Sequence, residues 1–290
     1  MNIFKNQIKE LIICFFSRIL GRKTVYALRY FHNRKRWPNF RYPKDMSEIL
    51  ISKILDDSFK QYSIYADKIS CRDYVKSKGL GDTLLKHYRY WEDANMIDIN
   101  DLPDKFVLKT NNGAGGHDIF ICYDKNNFNL ENVRIQLNKA LKKKYNFEFQ
   151  YQEIRPLIIC EELIETKDGL PPIDYKFTCI HGVPQDIMVG VDRDSHTVKI
   201  CRRNLDWSFK DCTIQSSLSN EEPTPPKLLN KMIEIAKILS ADFDFVRVDL
   251  YEYKDKVCFG ELTFSPAGGI LGTYTTDAID VYGEIYRKGL

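Results

Sequence analysis

The stretch FDFVRVDLYEYKDKVCFGELTFSP, residues 243–266, has two runs of β-branched and aromatic residues on either side of Lys254-Asp255-Lys256. Such runs around a short polar segment predict an antiparallel hairpin with its turn at 254–256. Successive side chains of a strand point to opposite faces, so Arg247 and Asp249 share a face. Glu261 then lies nearly opposite Asp249. The stretch therefore predicts two carboxylates and an arginine on one patch of a sheet.

This patch suits a divalent cation. Two carboxylates on neighbouring strands repel each other unless a cation lies between them. Hard oxygen ligands of this kind suit Mg²⁺ that also contacts the phosphates of a substrate, and Thr263 shares the face of Glu261. The alternative is a cross-strand salt bridge between Arg247 and Glu261 on a solvated face. The residues alone leave both interpretations open.

A glycine-rich segment, NNGAGGHD at residues 111–118, follows Lys109. Glycine lets backbone N–H groups approach a phosphate without a Cβ in the way. The segment matches neither GxxxxGK[ST] nor GxGxxG, and a strand rather than a helix follows it. Taken alone, it is more typical of a plain β-hairpin with a flexible turn.

Two further segments place charges at strand ends. In IICEELIETKDG, residues 158–169, Glu161, Glu162 and Glu165 follow an apolar strand. They either contact a purine and its ribose or protect an edge strand from pairing with another chain, and the residues alone favour the edge strand. In DYKFTC, residues 174–179, Asp174 and Lys176 share a face. A buried Lys176 would contact a phosphate, whereas an exposed one would form a weak ion pair.

Composition narrows the functional classes. The 290 residues are 43% hydrophobic, as in an ordinary folded protein, and the net charge of +3 is too small to indicate nucleic-acid binding. The eight cysteines are scattered singly without zinc-ligand spacing, which favours reduced thiols and a cytoplasmic location. Neither nucleic acid nor a structural metal is expected, and the sequence does not predict an oligomeric state.

The N-terminal segment FKNQIKELIICFFSRIL, residues 4–20, has an apolar centre of six residues, too short for a signal peptide or a membrane span. A basic stretch, residues 21–37, follows it. A helix packed on its own domain is the favoured interpretation. An amphipathic helix that gives residues 1–36 a peripheral contact with the inner face of the membrane stays open.

The order of these features resembles the ATP-grasp layout, in which ATP lies between two antiparallel sheets. In more detail, the segments ADKISCRDYV, LPDKFVLKTNNGAGG, DYKFTCIHGVPQ, RRNLDW and the hairpin resemble the TupA-like ATP-grasp family of polysaccharide and teichuronopeptide biosynthesis, over roughly residues 40–285. The resemblance implies an α+β ATP-grasp fold with two antiparallel-sheet-plus-helix subdomains, residues 104–160 and 161–290. A basic segment, 1–40, and a helical segment, 41–103, precede them.

The resemblance also implies roles for particular residues. Lys109 and Lys176 would face the nucleotide phosphates, and a segment with Gly113, Gly115 and Gly116 would cover these phosphates. Adenine would bind to Glu161, Glu162 and Leu163. The ribose would bind to Glu165. Asp249 and Glu261 would bind Mg²⁺, and Arg247 would stabilise charge on the reacting acyl group with Lys176. Lys68 matches an upstream family lysine on the nucleotide side. Thr263 stands where many ATP-grasp ligases have asparagine, so the next metal ligand is Thr263, water or nothing.

The implied activity is an ATP-dependent carboxylate–amine ligase that acts through an acyl phosphate. Its product would be an amide between an amino acid and a sugar of a cell-surface polysaccharide, such as capsule, O-antigen or teichuronopeptide. Its partners would be a small-molecule or glycan substrate and an amino-acid co-substrate. Two alternatives are a glycan kinase or other glycan transferase, and a non-catalytic nucleotide-binding scaffold.

Overall fold

The computed structural model describes residues 20–113, 118–143, 147–166, 171–191, 199–219 and 221–289. Two antiparallel sheets organise these residues, which confirms the α+β class. The first sheet has the order β1-β4-β2-β3, with β1 His87–Trp91, β2 Phe106–Thr110, β3 Ile119–Cys122 and β4 Ile158–Glu161. The second has the order β7-β6-β5-β8-β9, with β5 Tyr175–Ile180, β6 Val183–Val191, β7 Lys199–Arg203, β8 Phe245–Tyr253 and β9 Lys256–Thr263.

Helices cover both sheets and form the N-terminal region. They are α1 at residues 20–34, α2 Met46–Ile54, α3 Ser63–Ala66, α4 Cys71–Ser77, α5 Leu130–Ala140, α6 Leu229–Ser240 and α7 Thr276–Lys288. Side-chain caps fix several starts: Asp45 accepts from the Glu48 amide at 2.8 Å, and Asn129 accepts from the Asn132 amide at 3.0 Å. Gly289, with φ of 69°, ends α7.

The hairpin β8–β9 pairs Asp249 with Glu261, as expected, but by a different route. The turn contains only Lys254 and Asp255, whose φ values are 48° and 56°, instead of the predicted three residues. A bulge between Asp249 and Leu250 compensates and leaves Gly260 as the extra residue. A Cβ on Gly260 would lie 2.9 Å from the Asp249 carbonyl oxygen, so this bulge requires glycine.

The first sheet contains one strand that the sequence did not predict. β1 comes from the segment expected to be helical, and it lies at the edge of the sheet with mostly half-exposed side chains. An edge strand of this kind lacks the regular apolar alternation that identifies strands in a sequence. Because β1 pairs with β4, part of segment 41–103 belongs to the same sheet as segment 104–160. The four-segment division of the chain stays a prediction.

Helix α1 lies in the basic stretch that follows the N-terminal segment, and it is part of the main hydrophobic core. The interpretation of the N-terminal segment, residues 4–20, stays a prediction. Tyr26 and Tyr30 are buried in the same cluster as Phe177 of β5 and Val248 of β8. At the end of the helix, Arg34 donates to the Tyr274 carbonyl at 3.0 Å and to the Leu271 carbonyl at 2.6 Å. Residues 1–19 of the expected amphipathic segment lie outside the described residues.

Helices that cross a bilayer are long and continuously apolar. Within residues 20–289, apart from the gaps given above, no helix is both long enough and apolar enough to cross a membrane.

Helix α7 packs so closely on the start of α2 that Gly283 has no room for a side chain. A Cβ there would lie 2.3 Å from the Lys44 carbonyl oxygen and 2.8 Å from Asp45 Cα. We expect Gly283→Ala to lower the free energy of unfolding by about 2 kcal/mol, because overpacking outweighs the helix preference of alanine. Urea denaturation measures the change.

Gly81→Ala is the matched control for this substitution. Its added Cβ would lie 3.5 Å from Lys76 Cγ, an ordinary contact, so its free energy of unfolding should stay within about 0.5 kcal/mol of the wild type. Equal stability of Gly283→Ala and Gly81→Ala would contradict the close packing of α7 on α2.

Candidate active site

The carboxylates of β8 and β9 form the centre of a buried polar cluster. Asp249 is 1% exposed, and both Nε and Nη2 of Arg247 donate to its carboxylate at 2.6 Å. Nη2 also lies 3.3 Å from Glu261 and donates to Thr263 Oγ1 at 3.0 Å. The expected salt bridge between Arg247 and Glu261 is therefore present, but within a largely buried cluster instead of on a solvated face.

Lys176 enters the same cluster from the neighbouring strand. β5 pairs with β8 so that Lys176 is opposite Asp249, and its Nζ lies 2.5 Å from an Asp249 carboxylate oxygen. It also forms an ion pair with Asp174, on its own strand. Burial raises the pKa of Asp174 to about 6, although Lys176 opposes the shift. Lys176 is thus mostly buried, as the phosphate-facing interpretation requires.

Lys68 connects this cluster to the glycine segment of the first sheet. Its Nζ lies 3.2 Å from Glu261 and donates to the Gly113 carbonyl at 2.6 Å, while its amide donates to the Asn111 carbonyl. Burial opposes ionisation of Glu261, but Lys68 and Arg247 outweigh it and lower the pKa of Glu261 to about 2. Lys68 therefore bridges the two sheets and holds Glu261 ionised.

Lys109 and Glu161 form a second buried pair, in the first sheet. β2 and β4 are adjacent, and Lys109 Nζ forms an ion pair with Glu161. His87 Nε2 lies 3.5 Å from the other oxygen of Glu161. Burial opposes ionisation of Glu161, but Lys109 and His87 lower its pKa to about 2. Lys109 pairs with Glu161 here and makes no ion pair with Asp249 or Glu261 among the described residues.

The segment after β4 contains the expected adenine- and ribose-binding residues. The Glu162 amide donates to the Lys86 carbonyl at 2.8 Å, and Leu163 is buried. Glu165 is exposed and pairs with Lys105, away from the central cluster. The roles of Glu162, Leu163 and Glu165 stay predictions.

Of the three glycines in the expected phosphate-covering segment, only Gly113 belongs to the described residues, and Gly115 and Gly116 lie outside them. A Cβ on Gly113 would lie 2.8 Å from Thr110 Oγ1, so a side chain at this position would displace the Thr110 hydroxyl. The covering role of the glycine segment stays a prediction.

Several polar atoms around the two pairs have no hydrogen-bond partner within the described part of the chain. They are Thr110 Oγ1, Asn112 Oδ1, His87 Nδ1 and Asp174 Oδ1. Buried polar atoms without a partner point to a missing ligand or water. The surroundings of Lys109, Gly113 and Lys176 thus fit a polar, phosphate-bearing ligand.

The donor set also fits Mg²⁺. Asp249 and Glu261 offer carboxylate oxygens side by side, and Thr263 Oγ1 lies 3.2 Å from Glu261. In the described ranges, no group of three or more His, Cys, Asp or Glu side chains could hold a metal by itself. This matches Mg²⁺ sites in which one or two carboxylates act together with phosphate oxygens.

Two residues of this region were missed by the sequence analysis. Glu148 is mostly buried, and burial together with the charge of Glu261 raises its pKa to about 7. His87 contacts Glu161 from the unexpected strand β1. Neither residue stands in a motif, and both reach the site through contacts with distant parts of the chain, so no local signal could have found them.

Two antiparallel sheets joined by a cluster of lysines, an arginine and carboxylates are the arrangement expected of an ATP-grasp protein. Residues 48–284 match the family described as TupA-like ATPgrasp. This match covers most of the chain, and the protein belongs to the TupA-like ATP-grasp family. A comparison with curated proteins finds no match.

Solved structures of ATP-grasp ligases are similar in fold alone. D-alanine–D-alanine ligase from Helicobacter pylori is 15% identical, with a TM-score of 0.45, over 78% of this chain and 61% of that one. The ATP-grasp ligase PsnB with a precursor variant, Mg and ADP is 13% identical, with a TM-score of 0.45, over 79% and 60%. D-cycloserine synthetase DcsG is 13% identical, with a TM-score of 0.42, over 78% and 71%. The chain spans about three fifths of the length of the first two.

Proposed function

We propose that this protein is an ATP-dependent carboxylate–amine ligase that acts through an acyl phosphate. The observation that carries the proposal is the convergence of Lys68, Lys176 and Arg247 on Asp249 and Glu261, in a member of the ATP-grasp family. The cations and carboxylates of this site neutralise each other. When a charged reactant binds, the cations can contact it and the carboxylates can bind a metal ion. These are the demands of phosphoryl transfer, which depends on positioning and on neutralisation of charge.

The nucleotide would bind where Lys68 bridges the sheets. Lys109 and Lys176 would exchange part of their contact with Glu161 and Asp249 for phosphate oxygens, and the Thr110 hydroxyl could donate a hydrogen bond to the ligand. The segment with Glu162 and Leu163 would contact adenine, and Glu165 the ribose. Gly113, with Gly115 and Gly116, would close over the phosphates.

Asp249 and Glu261, with Thr263 beside them, would hold Mg²⁺. Bound Mg²⁺ supplies charge neutralisation for the phosphates. The ionised state of Glu261, which Lys68 and Arg247 maintain, keeps this ligand available near neutral pH.

The acid and the amine would react next to Arg247. A carboxylate oxygen attacks the γ-phosphorus and ADP leaves; the amine nitrogen then attacks the acyl carbon, phosphate leaves, and an amide forms. Negative charge develops on the acyl oxygen in the second step. Arg247, fixed by two hydrogen bonds to Asp249, would stabilise that charge without having to reorganise, and Lys176 would assist from β5.

The biological role that we propose is amide formation between an amino acid and a sugar during cell-surface polysaccharide synthesis in the cytoplasm. Its support is the family to which the chain belongs. A peripheral contact with the membrane through residues 1–36 would bring the enzyme close to lipid-linked acceptors.

Product analysis tests the proposed reaction. The purified protein is incubated with MgATP and a panel of amino acids combined with uronic acids or amino sugars. ADP, phosphate and an amide in equal amounts are expected. ADP with a phosphorylated glycan would indicate a glycan kinase, and the absence of ATP turnover with every pair would favour a nucleotide-binding scaffold; either result would contradict the ligase.

Lys68→Met is expected to weaken MgATP binding about tenfold, because it removes a charge-assisted contact that joins the glycine segment to Glu261. Isothermal titration calorimetry measures the change. Lys76→Met, on the neighbouring helix α4, is the matched control and should bind MgATP like the wild type. Among the described residues, Lys76 forms an ion pair with the exposed Asp73 and with no other carboxylate. Equal affinity of the two variants would contradict the bridging role of Lys68.

A further inference from the structure

A cavity of about 810 Å³ lies next to Arg247, between α1, one face of the second sheet and residues 266–274. We propose that this cavity binds the carboxylate substrate of the ligase, that this substrate is an organic acid larger than an amino acid with a substantial apolar surface, and that α1 determines its selection. The inference rests on the proposed function for the identity of the reaction. It adds the binding site and the substrate class.

The walls of the cavity are mainly apolar. They are formed by Val25 and Leu28 of α1, Met188 and Ile200 of the sheet, and Ile270 and Leu271 of the following segment. Leu28 is 45% exposed although it is a large apolar side chain in a well-packed helix. Burial of such surfaces by an apolar ligand is favourable, and the volume is in the range of sites for ligands larger than single amino acids.

The charged residues of the cavity are all basic. Arg29, Arg202 and Arg247 contribute to its lining together with His32, and no aspartate or glutamate of the described segments does so. Arg202 is already fixed, because its Nε lies 3.6 Å from the buried Asp186 and it donates to Thr273 Oγ1 at 2.9 Å. An apolar cavity whose charged lining residues are all cations is complementary to an organic anion.

Arg29 and Arg247 mark two parts of this cavity. Arg247 contacts Asp249 and Glu261, so the carboxylate that reacts belongs at this end. Arg29 projects from α1, and its guanidinium stacks on the Phe147 ring at 3.6 Å from the ring centre. We assign Arg29 a positioning role for the substrate anion, because it lies in the same cavity as Arg247 and on a different wall.

The wall formed by α1 is held in place before any ligand binds. Tyr30 and Arg36 both contact the fully buried Asp45, and Arg34 bonds the Leu271 and Tyr274 carbonyls. A preformed wall loses little conformational entropy on binding. Helix α1 precedes residue 48, where the family match begins.

The segment SPAGG, residues 265–269, fits closely between α1 and the sheet. Ala267, Gly268 and Gly269 all have left-handed backbone conformations, with φ of 52°, 64° and 82°. A Cβ on Gly268 would lie 2.8 Å from Phe147 Cβ and 3.1 Å from Arg29 Nη1. The glycine thus leaves room for the guanidinium of Arg29 at the cavity wall.

The test uses anilinonaphthalene sulfonate, a fluorescent anion with an apolar body, and its uncharged analogue N-phenylnaphthylamine. The wild-type protein is expected to bind one molecule of either probe. Arg29→Gln should weaken binding of the anion about tenfold, because a charge-assisted contact is lost, and should weaken binding of the uncharged probe far less. Leu28→Trp, which fills the cavity, should weaken binding of both.

Two controls make the result specific. Lys23→Gln removes a cation from the opposite, exposed side of α1 and should leave both affinities unchanged, and Arg29→Lys, which keeps the charge, should largely restore binding of the anion. Absence of probe binding to the wild type would overturn the proposal. So would equal affinities of Arg29→Gln and Lys23→Gln for the anion, or unchanged binding by Leu28→Trp.

Binding of MgADP to the wild-type protein is measured separately. If MgADP does not bind, the proposed ligase fails, and the probe titrations still decide whether the cavity selects an organic anion. If MgADP binds and the titrations fail, only the assignment of the cavity is overturned.

Discussion

Asp249→Asn is expected to reduce substrate-dependent ADP release at least about 100-fold. Asparagine has nearly the same size as aspartate, but it lacks the charge that attracts Arg247 and Lys176. The amide NH₂ group of asparagine would face the donor groups of Arg247 and Lys176, which now bond to both carboxylate oxygens of Asp249. The substitution also removes one of two neighbouring carboxylates that would hold Mg²⁺. Two functions of the cluster, cation positioning and metal binding, are therefore lost together.

Asp174→Asn is the matched control for this prediction. Asp174 also contacts Lys176, but burial already raises its pKa, and within the described ranges it forms no hydrogen bond or ion pair with Arg247 or Glu261. We expect a smaller loss of ADP release. Circular dichroism and thermal melting of both variants separate a loss of chemistry from a loss of the fold. Wild-type ADP release by a folded Asp249→Asn variant would contradict the site.

Deletion of residues 1–36 is expected to lower the melting temperature by more than about 10 °C or to prevent folding. The deletion removes the buried side chains of Val25, Tyr26 and Tyr30, and each such side chain contributes about 1.5–3 kcal/mol. It also removes Arg36, the basic partner of Asp45, whose carboxylate is fully buried. A buried charge left without its partner adds to the loss.

Deletion of residues 1–19 provides the comparison. The fall in melting temperature should be much larger for the deletion of residues 1–36, since only that deletion removes α1. If both truncated proteins melt at the same temperature, α1 does not belong to the core. Fractionation of the same two proteins with membranes tests whether residues 1–36 also contribute a peripheral membrane contact.

The hairpin shows how much of the site could be predicted from sequence. Alternation of side chains correctly placed Arg247 and Asp249 on one face and Glu261 opposite. The predicted turn was one residue too long, and the bulge at Gly260 restored the pairing. A bulge depends on close packing, here between Gly260 and Tyr251, which a single strand pattern does not reveal.

Contacts between distant segments were beyond the reach of sequence patterns. The resemblance to the family identified Lys68 as a residue of interest but gave no role, and its contacts with Glu261 and Gly113 depend on how the two sheets face each other. The N-terminal segment, residues 4–20, leaves a similar choice open. Its amphipathic pattern is compatible with a membrane surface or with a protein core, because both bury one apolar face.

Transfer of oxygen-18 from the acid substrate to phosphate tests the central claim most directly. The acid that stimulates ADP release is labelled in its carboxylate and is supplied with MgATP and the amine. Attack of the carboxylate on the γ-phosphorus predicts one labelled oxygen in each molecule of released phosphate, because the bond to the acyl carbon is the one that breaks. Unlabelled phosphate, or labelled AMP in its place, would contradict the acyl-phosphate ligase.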